Sequence, residues 1–456
     1  MPARTRASPT EPAVAPPPAY FLALTVENVR CFGPAQTLDL SDGNGRPARL
    51  TVLLGENGLG KSTLLQCLAA MEPVPASVPE SRPDDMQQWI AATVDALRFD
   101  LQRIPDARGR TEVRVAVGKK LTDVGPPRAT HLEASWKARP RGGIYVTGSE
   151  VRPYHEIGGL LCYGYGPYRR PSRELESYDS GDDRIASLFF ENTPLRSAEA
   201  WWLRTDYNSR LDSPAKQRFQ RYAGLAKEAL VRLLPDVEDL QIVPAPEPGG
   251  RARVEALTKF GWVPLHRLGS GYQSHIAWVV DLASRLFERY PDSDDPLAEP
   301  AVVLVDEIDL HMHPRWQRDI IRYLTERLPN TQFIVTAHSP LIVQAAEGAN
   351  LVLLRREGDH VVIDNDPVRL RNWRVDQILT SELFGLESAR PPQVEGLLKE
   401  RRTLLSKGRM TANDRRRLAA LETEIGDLPA GESVEDSQAM EIIRRAAAKL
   451  RDQGGA

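Results

Sequence analysis

The stretch ARLTVLLGENGLGKSTLLQCLAAM, residues 48–71, constrains the fold of this chain more than any other. Apolar residues at 51–54 predict a buried strand, the glycines that follow predict a loop, and apolar residues at helical spacing predict a helix from Lys61 onward. The loop has the pattern GxxxxGK[ST], in which backbone N–H groups surround the phosphates of a nucleoside triphosphate. A dinucleotide-binding fold would require GxGxxG without the Gly-Lys-Ser found here. We therefore predict a site for ATP and Mg²⁺.

Each residue type in this loop suits one part of a bound nucleotide. Gly55, Gly58 and Gly60 let the backbone curve around the phosphates. Lys61 can reach the β- and γ-phosphates, which makes it a catalytic as well as a binding residue, and the Ser62 hydroxyl can ligate Mg²⁺. The predicted nucleotide-binding residues of the loop are Gly55, Asn57, Gly58, Gly60, Lys61, Ser62 and Thr63. Upstream, residues 21–40 predict two strands, with the side chain of Phe32 in the core.

A second apolar run, AVVLV at residues 301–305, ends in Asp306 and Glu307. Such a run is typical of a parallel strand buried on both faces, and open α/β sheets bind ligands at the carboxyl ends of their strands. We therefore predict that Asp306 belongs to the Mg²⁺ shell and that Glu307 orients and deprotonates the attacking water. The alternative is an acidic strand end that only faces solvent.

A third apolar run, TQFIVTAHSP, follows an amphipathic helix predicted over residues 315–328 and ends near His338. A histidine one strand beyond the acid pair can hydrogen-bond a γ-phosphate and respond to its loss, and the alternative is a hydrogen-bonded core histidine. His311 and His313 form an HxH pair, but no third ligand stands at a recognisable spacing. A metal site at this pair is therefore the less favoured interpretation.

Composition limits the partners that the chain can have. Its 456 residues, 41% hydrophobic and 27% charged, are typical of a soluble globular protein of roughly two to three domains. The net charge of -3 gives no general attraction to a polyanion, so DNA contact would need local basic clusters. The sequence has no apolar run of membrane-spanning length and no secretory segment, and its three cysteines lack metal-type spacing. We therefore expect a cytoplasmic protein without a membrane partner.

The stretch HRLGSGYQSHIAWVVDLASRL, residues 266–286, places glycines before apolar residues at helical spacing. Such a loop can hold a phosphate at a helix N-terminus, yet it has no lysine, and the first site is already complete. The order GENGLGKS, LGSGYQS, VVLVDE and TAHS resembles ATP-binding cassette (ABC) ATPases, in which a signature loop of the LSGGQ kind precedes the acid-pair strand. LGSGYQS departs from LSGGQ and is closer to the LSDGYRS form of RecF/SMC-like and OLD-like soluble ATPases.

The resemblance implies that the signature loop does not reach the nucleotide of its own chain. In such ATPases two heads meet in antiparallel fashion, and each head closes the site of the other. Carried over to this sequence, Ser270 and Gly271 would offer donors at a helix N-terminus to the γ-phosphate bound by a second copy. A homodimer or a higher homo-oligomer is therefore expected.

The predicted fold class is α/β, a P-loop NTPase with an ABC-ATPase-like head, a mixed α and β insertion and a helical C-terminal region. Gly271 lies 210 positions after Lys61, more than a compact transport cassette needs. No apolar heptad persists in this span, which argues against a long SMC-type coiled-coil arm. The predicted divisions are a disordered tail (1–19), the N-terminal part of the head (20–80), the insertion (81–235), the C-terminal part of the head (236–370) and the helical region (371–456).

Within the insertion, periodicity distinguishes helices from strands. Helices are predicted over residues 84–104, 198–211 and 213–234, and strands over residues 111–118 and 130–138. Beyond His338, the segments NLVLLRR and HVVIDND predict a β-hairpin. The acids of this hairpin are too closely spaced for the metal site of a Toprim nuclease, so no nuclease activity is assigned to the chain.

Two basic segments have open roles. The segment LLCYGYGPYRRPSRE, residues 160–174, resembles a Y-x-P-x-R stretch of OLD-like ATPases, so Arg169 could approach the nucleotide or a nucleic-acid phosphate. A solvated basic loop containing Arg169, Arg170 and Arg173 is the equal alternative. The second segment is a predicted helical hairpin broken near Gly408, whose basic residues form either a solvated helix face, which we favour, or a docking surface for DNA or an acidic partner. These residues are Lys399, Arg401, Arg402, Lys407, Arg409, Arg415, Arg416 and Arg417.

Three stretches, together with the helical tail, carry a wider resemblance: YGYGPYRRP, VDEIDLHMHPRWQRDIIRYLTERLPNTQFIVTAHSPLIV and QILTSELFGLES. Over nearly the whole chain after residue 20, the sequence resembles the ATPase subunit of Septu-type antiphage defence systems and the retron-associated ATPases. The resemblance implies ATP hydrolysis at composite dimer sites and a separate HNH-type nuclease as partner. The principal alternative is a RecF/SMC-like DNA-repair ATPase that acts directly on DNA. A transport cassette and a regulatory protein that binds ATP with little turnover are the remaining alternatives.

Overall fold

The structure, a computed structural model, describes residues 18–74, 90–91, 110–118, 130–138, 144–151, 159–169, 184–214, 216–234, 236–245, 247, 250, 252–268, 270–367, 373–386, 388–407 and 410–426. The strands are β1 Pro18–Glu27, β2 Gln36–Asp39, β3 Leu50–Leu54, β4 Pro73–Val74, β5 Ile90–Ala91, β6 Arg110–Gly118, β7 Thr130–Ala138, β8 Ile144–Val151, β9 Gly159–Leu160, β10 Cys162–Tyr165, β11 Asp239–Val243, β12 Arg253–Thr258, β13 Gly261–Pro264, β14 Ala301–Val305, β15 Thr331–Thr336, β16 Asn350–Glu357 and β17 His360–Asp364. The helices are α1 Lys61–Ala70, α2 Ala186–Phe189, α3 Ala198–Arg210, α4 Lys216–Leu233, α5 Ser270–Arg289, α6 Pro314–Arg327, α7 Pro340–Ala345, α8 Val375–Leu379, α9 Pro392–Leu405 and α10 Ala412–Ile425.

The central sheet has the strand order β10-β14-β15-β3-β16-β17. The strands from β10 to β16 are parallel, and β17 returns antiparallel to β16 as the predicted hairpin. Strands β3, β14 and β15 are buried along their whole lengths, as their uninterrupted apolar sequences predict. The carboxyl ends of these three adjacent strands therefore lie at one edge of the sheet.

The two faces of the central sheet pack against different layers. Val302 and Leu304 of β14 share one core with helix α1 and with strands β1 and β2, and the side chain of Phe32 is fully buried in this core. Val303 and Val305 face the opposite core, which includes residues of helices α5 and α6. Alternate residues of one strand thus bury opposite faces of the sheet, which explains why the sequence of β14 is apolar at every position.

A second sheet is antiparallel, with the order β2-β1-β6-β7-β8, and β9 adds a parallel pair to β1. Strands β6 and β7, within the predicted insertion 81–235, coincide with the strands expected from the sequence. Strand β6 pairs with β1, and β7 pairs with β6, so the insertion and the N-terminal strands belong to one sheet. Strand β10 of the same insertion is an edge strand of the central sheet.

The helix predicted over residues 84–104 is wrong at residues 90–91. This dipeptide is strand β5, which pairs antiparallel with β4. Apolar spacing alone cannot tell a short paired strand from part of a helix, and tertiary pairing overrides the local preference. The rest of that predicted helix lies outside the described residues. Helices α3 and α4 form where the sequence predicts them and share a third core with α5 and with strands β11 and β12.

The described residues from Gly385 to Gly426 form a compact unit of their own, distinct from the described residues up to Phe384. Its described part is the predicted helical hairpin, α9 and α10, and a capping box between Thr411 and Asp414 begins α10. Several basic residues of the candidate docking surface are paired with acids. These ion pairs are Lys399–Glu395, Arg401–Glu422, Lys407–Asp414, Arg417–Glu400 and Arg417–Glu424. The pairing favours the solvated helix face over a surface for DNA, while Arg409 lies outside the described residues.

Candidate functional site

A cavity of about 430 Å³ opens at the carboxyl ends of β3, β14 and β15. Its lining is Arg30, Cys31, Asn57, Gly58, Gly60, Lys61, Ser62, Thr63, Asp306, Glu307 and His338. The P-loop lysine, the acid pair and the histidine, which are up to 277 positions apart in the sequence, therefore meet at one site. Strand order accounts for this meeting, because β14, β15 and β3 are direct neighbours.

Three predicted site residues are absent from the described lining of this cavity. Gly55 follows β3 with φ +139°, and a Cβ at this position would lie 2.7 Å from the Leu354 carbonyl oxygen. Ser270 is the first residue of α5, so the helix N-terminus predicted for the signature loop is present. Gly271 is the second residue of that helix, and the side chains of this turn are outside the described part.

Arg30 and Cys31 also line the cavity, although neither was predicted from the sequence as a site residue. Arg30 Nη1 donates to Thr63 Oγ1 at 3.2 Å and to Gln66 Oε1 at 3.1 Å. The arginine thus lies against the helix that follows the P-loop. One arginine in a connection between two strands looks like a solvated residue in sequence, so only its pairing with α1 identifies it as part of the site.

Lys61 is the first residue of α1, and its side chain is 6% exposed. The Nζ group donates to the carbonyl oxygens of Gly55 and Glu56, at 2.8 Å each. Burial lowers the pKa of Lys61, while the negative charges of Asp306, Glu307 and Asp309 oppose this effect. The ammonium group is therefore held inside the loop that it would leave to reach a phosphate.

Gly60 is confined by both conformation and space. Its φ is +84°, and a Cβ here would lie 2.5 Å from Cys31 Sγ and 2.8 Å from Phe32 Cε2. Gly58 has a similar φ of +81° but no atom within 4 Å of its Cβ position. An alanine would have a strained backbone at either position, but only at Gly60 would its Cβ also collide with neighbouring side chains.

Gly60→Ala is expected to abolish ATP binding and to lower the Tm by several degrees, because the fully buried Phe32 ring must move. Gly58→Ala should cost only the strain of a left-handed alanine, about 1–2 kcal/mol. Nucleotide titration and thermal melting of both variants measure this contrast. Equal stability and ATP affinity in the two variants would contradict the proposed crowding at Gly60.

Asp306 and Glu307 are organised by the hydroxyl group of Thr336, which is fully buried at the end of β15. Thr336 Oγ1 donates to Asp306 Oδ1 at 2.6 Å and accepts from the Glu307 backbone N–H at 2.7 Å. Asp306 itself is 4% exposed. One hydroxyl group therefore fixes both the carboxylate of the first acid and the backbone of the second.

Thr336→Val keeps the shape of the side chain and removes both hydrogen bonds. The loss of a buried hydrogen-bond partner costs about 1–3 kcal/mol. If this cost falls on the catalytic arrangement, it corresponds to a roughly 5- to 150-fold lower kcat. Thr336→Ser retains the hydroxyl group and should stay near the wild-type rate. Phosphate release from ATP by the two variants measures this contrast, and a wild-type rate for Thr336→Val would exclude this role of the hydroxyl group.

His338 reaches the cavity from the segment that follows β15. Its backbone N–H donates to Asp309 Oδ2 at 3.1 Å, so the loop after the acid pair is tied to the histidine. The two histidines of the HxH pair have other roles. His311 has φ +62°, and His313 Nδ1 caps α6 by accepting from the Arg315 N–H. Among the described residues, no group of three or more His, Cys, Asp or Glu side chains is arranged to hold a metal ion.

Arg169 contradicts the interpretation of a solvated basic loop, because its side chain is 4% exposed. It points toward the protein interior behind the acid pair, where its guanidinium donates to backbone carbonyl groups. Arg170 and Arg173 lie outside the described residues. The sequence could not distinguish these cases, since Arg169 packs against Trp278 of helix α5, more than a hundred positions away.

Two family models match the sequence. The family described as "AAA domain, putative AbiEii toxin, Type IV TA system" matches residues 168–344, and a second family described as "AAA domain" matches residues 23–71. The first match includes the acid pair and His338, and the second includes the P-loop. Both halves of the cavity thus fall within AAA family matches.

Curated relatives are similar to parts of the chain. The Septu protein PtuA of Bacillus mycoides (strain KBAB4) is 27% identical over 350 residues, which cover 75% of this chain and 41% of that protein. A protein named "Retron Ec83 probable ATPase" from Escherichia coli is 33% identical over 156 residues, covering 34% of this chain and 28% of that protein. The chain therefore spans less than half the length of these relatives.

Among solved structures, an Smc head bound to the C-winged helix domain of ScpA has a TM-score of 0.44 at 15% identity, covering 75% of this chain and 96% of that one.

The motif order, the parallel sheet and the AAA matches define an α/β P-loop NTPase with an ABC-ATPase-like head. The resemblance to the ABC-like AAA ATPases of Septu and retron systems, predicted from the sequence, is confirmed. None of the described helices is long and apolar enough to cross a lipid bilayer.

Proposed function

We propose that this protein binds ATP with Mg²⁺ in the cavity and hydrolyses it. The observation that carries the proposal is the convergence of Lys61, the acid pair and His338 on one cavity at the carboxyl ends of three parallel strands. Mg²⁺-dependent phosphate release by the purified protein tests this activity. The absence of phosphate release, with ATP bound, would favour a regulatory protein that binds ATP without turnover.

The cavity fits a triphosphate chemically. Gly58 and Gly60 adopt left-handed conformations that turn the loop, and a side chain at Gly60 would collide with its surroundings. The N-terminus of α1 and the Lys61 ammonium group supply positive charge for the β- and γ-phosphates. On phosphate binding, Lys61 would exchange its two loop carbonyl partners for phosphate oxygens.

Mg²⁺ would be held by Ser62 and Asp306, both of which line the cavity. Hydroxyl and carboxylate oxygens are the ligands that this ion prefers. The bound ion would neutralise charge on the phosphates. Asp306 is already oriented by Thr336, so its carboxylate is prepared for a ligand role.

Glu307 and His338 would act on the water and the terminal phosphate. The Glu307 carboxylate would orient a water molecule and accept its proton as the water attacks the γ-phosphorus. His338 would hydrogen-bond a γ-phosphate oxygen and, through its backbone contact with Asp309, link loss of the phosphate to the loop after the acid pair.

Each site would be completed by a second copy of the chain. The N-terminus of the 20-residue helix α5 at Ser270 offers backbone donors and a partial positive charge, the properties needed to hold a γ-phosphate. By the resemblance to ABC-type heads, Ser270 and Gly271 of one copy would contact the nucleotide bound to its neighbour. The homodimer is therefore a part of the catalytic machinery in this proposal.

ATP turnover would regulate a separate HNH-type nuclease in antiphage defence, inside the cytoplasm. The similarity to Septu protein PtuA and to the retron ATPase supports this role. Co-purification with the product of a neighbouring HNH gene, in an ATP-dependent manner, tests it. Strong stimulation of turnover by DNA alone would instead favour the RecF/SMC-like alternative of direct action on DNA.

A further inference from the structure

Arg169 is buried immediately behind the acid pair, and the proposed function gives it no task. Its Nε group donates to the Gly166 carbonyl oxygen at 3.0 Å. Its Nη2 group donates to the carbonyl oxygen of Asp306 and, at 2.7 Å, to that of Glu307. The guanidinium therefore binds the backbone of both acids, two residues that line the cavity.

The backbone that Arg169 holds has an unfavourable conformation. Glu307 has φ +49°, in the left-handed region that is unfavourable for a non-glycine residue. Such a conformation persists only where the surroundings enforce it. Thr336 Oγ1 accepts from the Glu307 backbone N–H, and Arg169 donates to the carbonyl oxygens of Asp306 and Glu307, which belong to the two peptide groups that flank the Glu307 Cα. The two side chains together fix the residue proposed to activate water.

On its other side, Arg169 contacts the helix that begins at the signature loop. The guanidinium carbon lies 5.9 Å from the centroid of the Trp278 ring of α5, and Trp278 is fully buried. Tyr165, at the end of β10, packs against the same ring and donates from its hydroxyl group to Asp281 of α5 at 2.9 Å. Arg285 completes this buried group by donating to Asp281 at 2.7 Å. Arg169 therefore contacts both helix α5 and the backbone of the acid pair.

We propose that Arg169 is a positioning residue for Glu307, which holds the glutamate backbone in its left-handed conformation and links its position to helix α5. This inference rests on the proposed role of Glu307 in hydrolysis. Burial lowers the pKa of Arg169 to about 10, so the guanidinium remains charged at neutral pH. A positioning role predicts a loss in kcat with little change in ATP affinity, because Arg169 acts behind the acids.

The test is a double-mutant cycle between Arg169→Gln and Glu307→Gln, measured by single-turnover hydrolysis and by ATP titration. Arg169→Gln alone is expected to lower the hydrolysis rate roughly 100-fold, as for a catalytic group displaced by a small distance. Its ATP affinity should stay within about threefold of wild type. In the Glu307→Gln background the same substitution should change the rate less than about threefold, because the group that it positions is already inactive.

Arg184→Gln is the matched control. Arg184 also packs against an aromatic ring, that of Tyr163 in β10, but its ion pair is with Glu72 and not with the acid pair. This substitution should lower the stability of the fold without changing the rate of ATP hydrolysis. Arg169→Lys, which keeps a cation, should recover part of the lost rate and replaces Arg169→Gln in the cycle if that variant fails to fold.

Three results would overturn the inference: a wild-type rate for Arg169→Gln, a rate loss that multiplies in full with that of Glu307→Gln, or a large loss of ATP affinity at unchanged rate. If Glu307→Gln itself hydrolyses ATP normally, the proposed function fails instead. The single variants therefore distinguish the two failures.

Discussion

Glu307→Gln is expected to bind ATP with near wild-type affinity and to hydrolyse it about 10²- to 10⁴-fold more slowly, the contribution typical of a general base. The amide has the shape of the carboxylate but cannot accept a proton. The backbone contacts of Glu307 with Thr336 and Arg169 do not involve its side chain, so the fold of the acid pair should be retained. Phosphate release and nucleotide titration measure the two quantities separately.

Blocked hydrolysis should also lengthen the life of the closed state, so dimers of Glu307→Gln should accumulate when ATP and Mg²⁺ are added. Size-exclusion chromatography with light scattering measures this population. Glu347→Gln, at an exposed acid outside the cavity, is the control and should leave the rate unchanged. Hydrolysis at the wild-type rate by Glu307→Gln would remove this residue from the mechanism.

Ser270→Arg is expected to abolish turnover and to leave ATP binding intact. A long charged side chain at the first residue of α5 would obstruct the approach of that helix N-terminus to a neighbouring phosphate. The P-loop of the same chain would be untouched, so its affinity for ATP should stay near wild type. Ser406→Arg, at an exposed serine after α9, controls for the added charge. Full turnover by Ser270→Arg would exclude the proposed role of the signature loop.

The parts of the fold that the sequence predicts are those dictated by local chemistry. Apolar runs predict β3, β14 and β15 because both faces of these strands are buried, and the glycine pattern predicts the turn into α1. The acid pair and His338 follow such strands, so their approach to Lys61 can be inferred from parallel pairing alone. The cavity contains most of the predicted residues for this reason.

The remaining features depend on partners that are distant in sequence. Strands β6 and β7 are recognisable by alternation, but alternation does not identify β1 as the partner of β6. Arg169 is buried with its guanidinium packed against the Trp278 ring, and the β5 dipeptide is a strand because it pairs with β4. In each case the local pattern permits two structures, and a long-range contact selects one of them.

The measurement that tests composite sites most directly mixes two inactive variants, Lys61→Ala and Ser270→Arg, in equal amounts with ATP and Mg²⁺. A mixed dimer has one site with both defects and one site with neither, because the intact Lys61 of one copy meets the intact Ser270 of the other. Random pairing predicts about a quarter of the wild-type rate, while each variant alone stays inactive. Differently tagged chains confirm that mixed dimers form. If such dimers are present and the mixture remains as inactive as its components, each site lies within one chain and the account is contradicted.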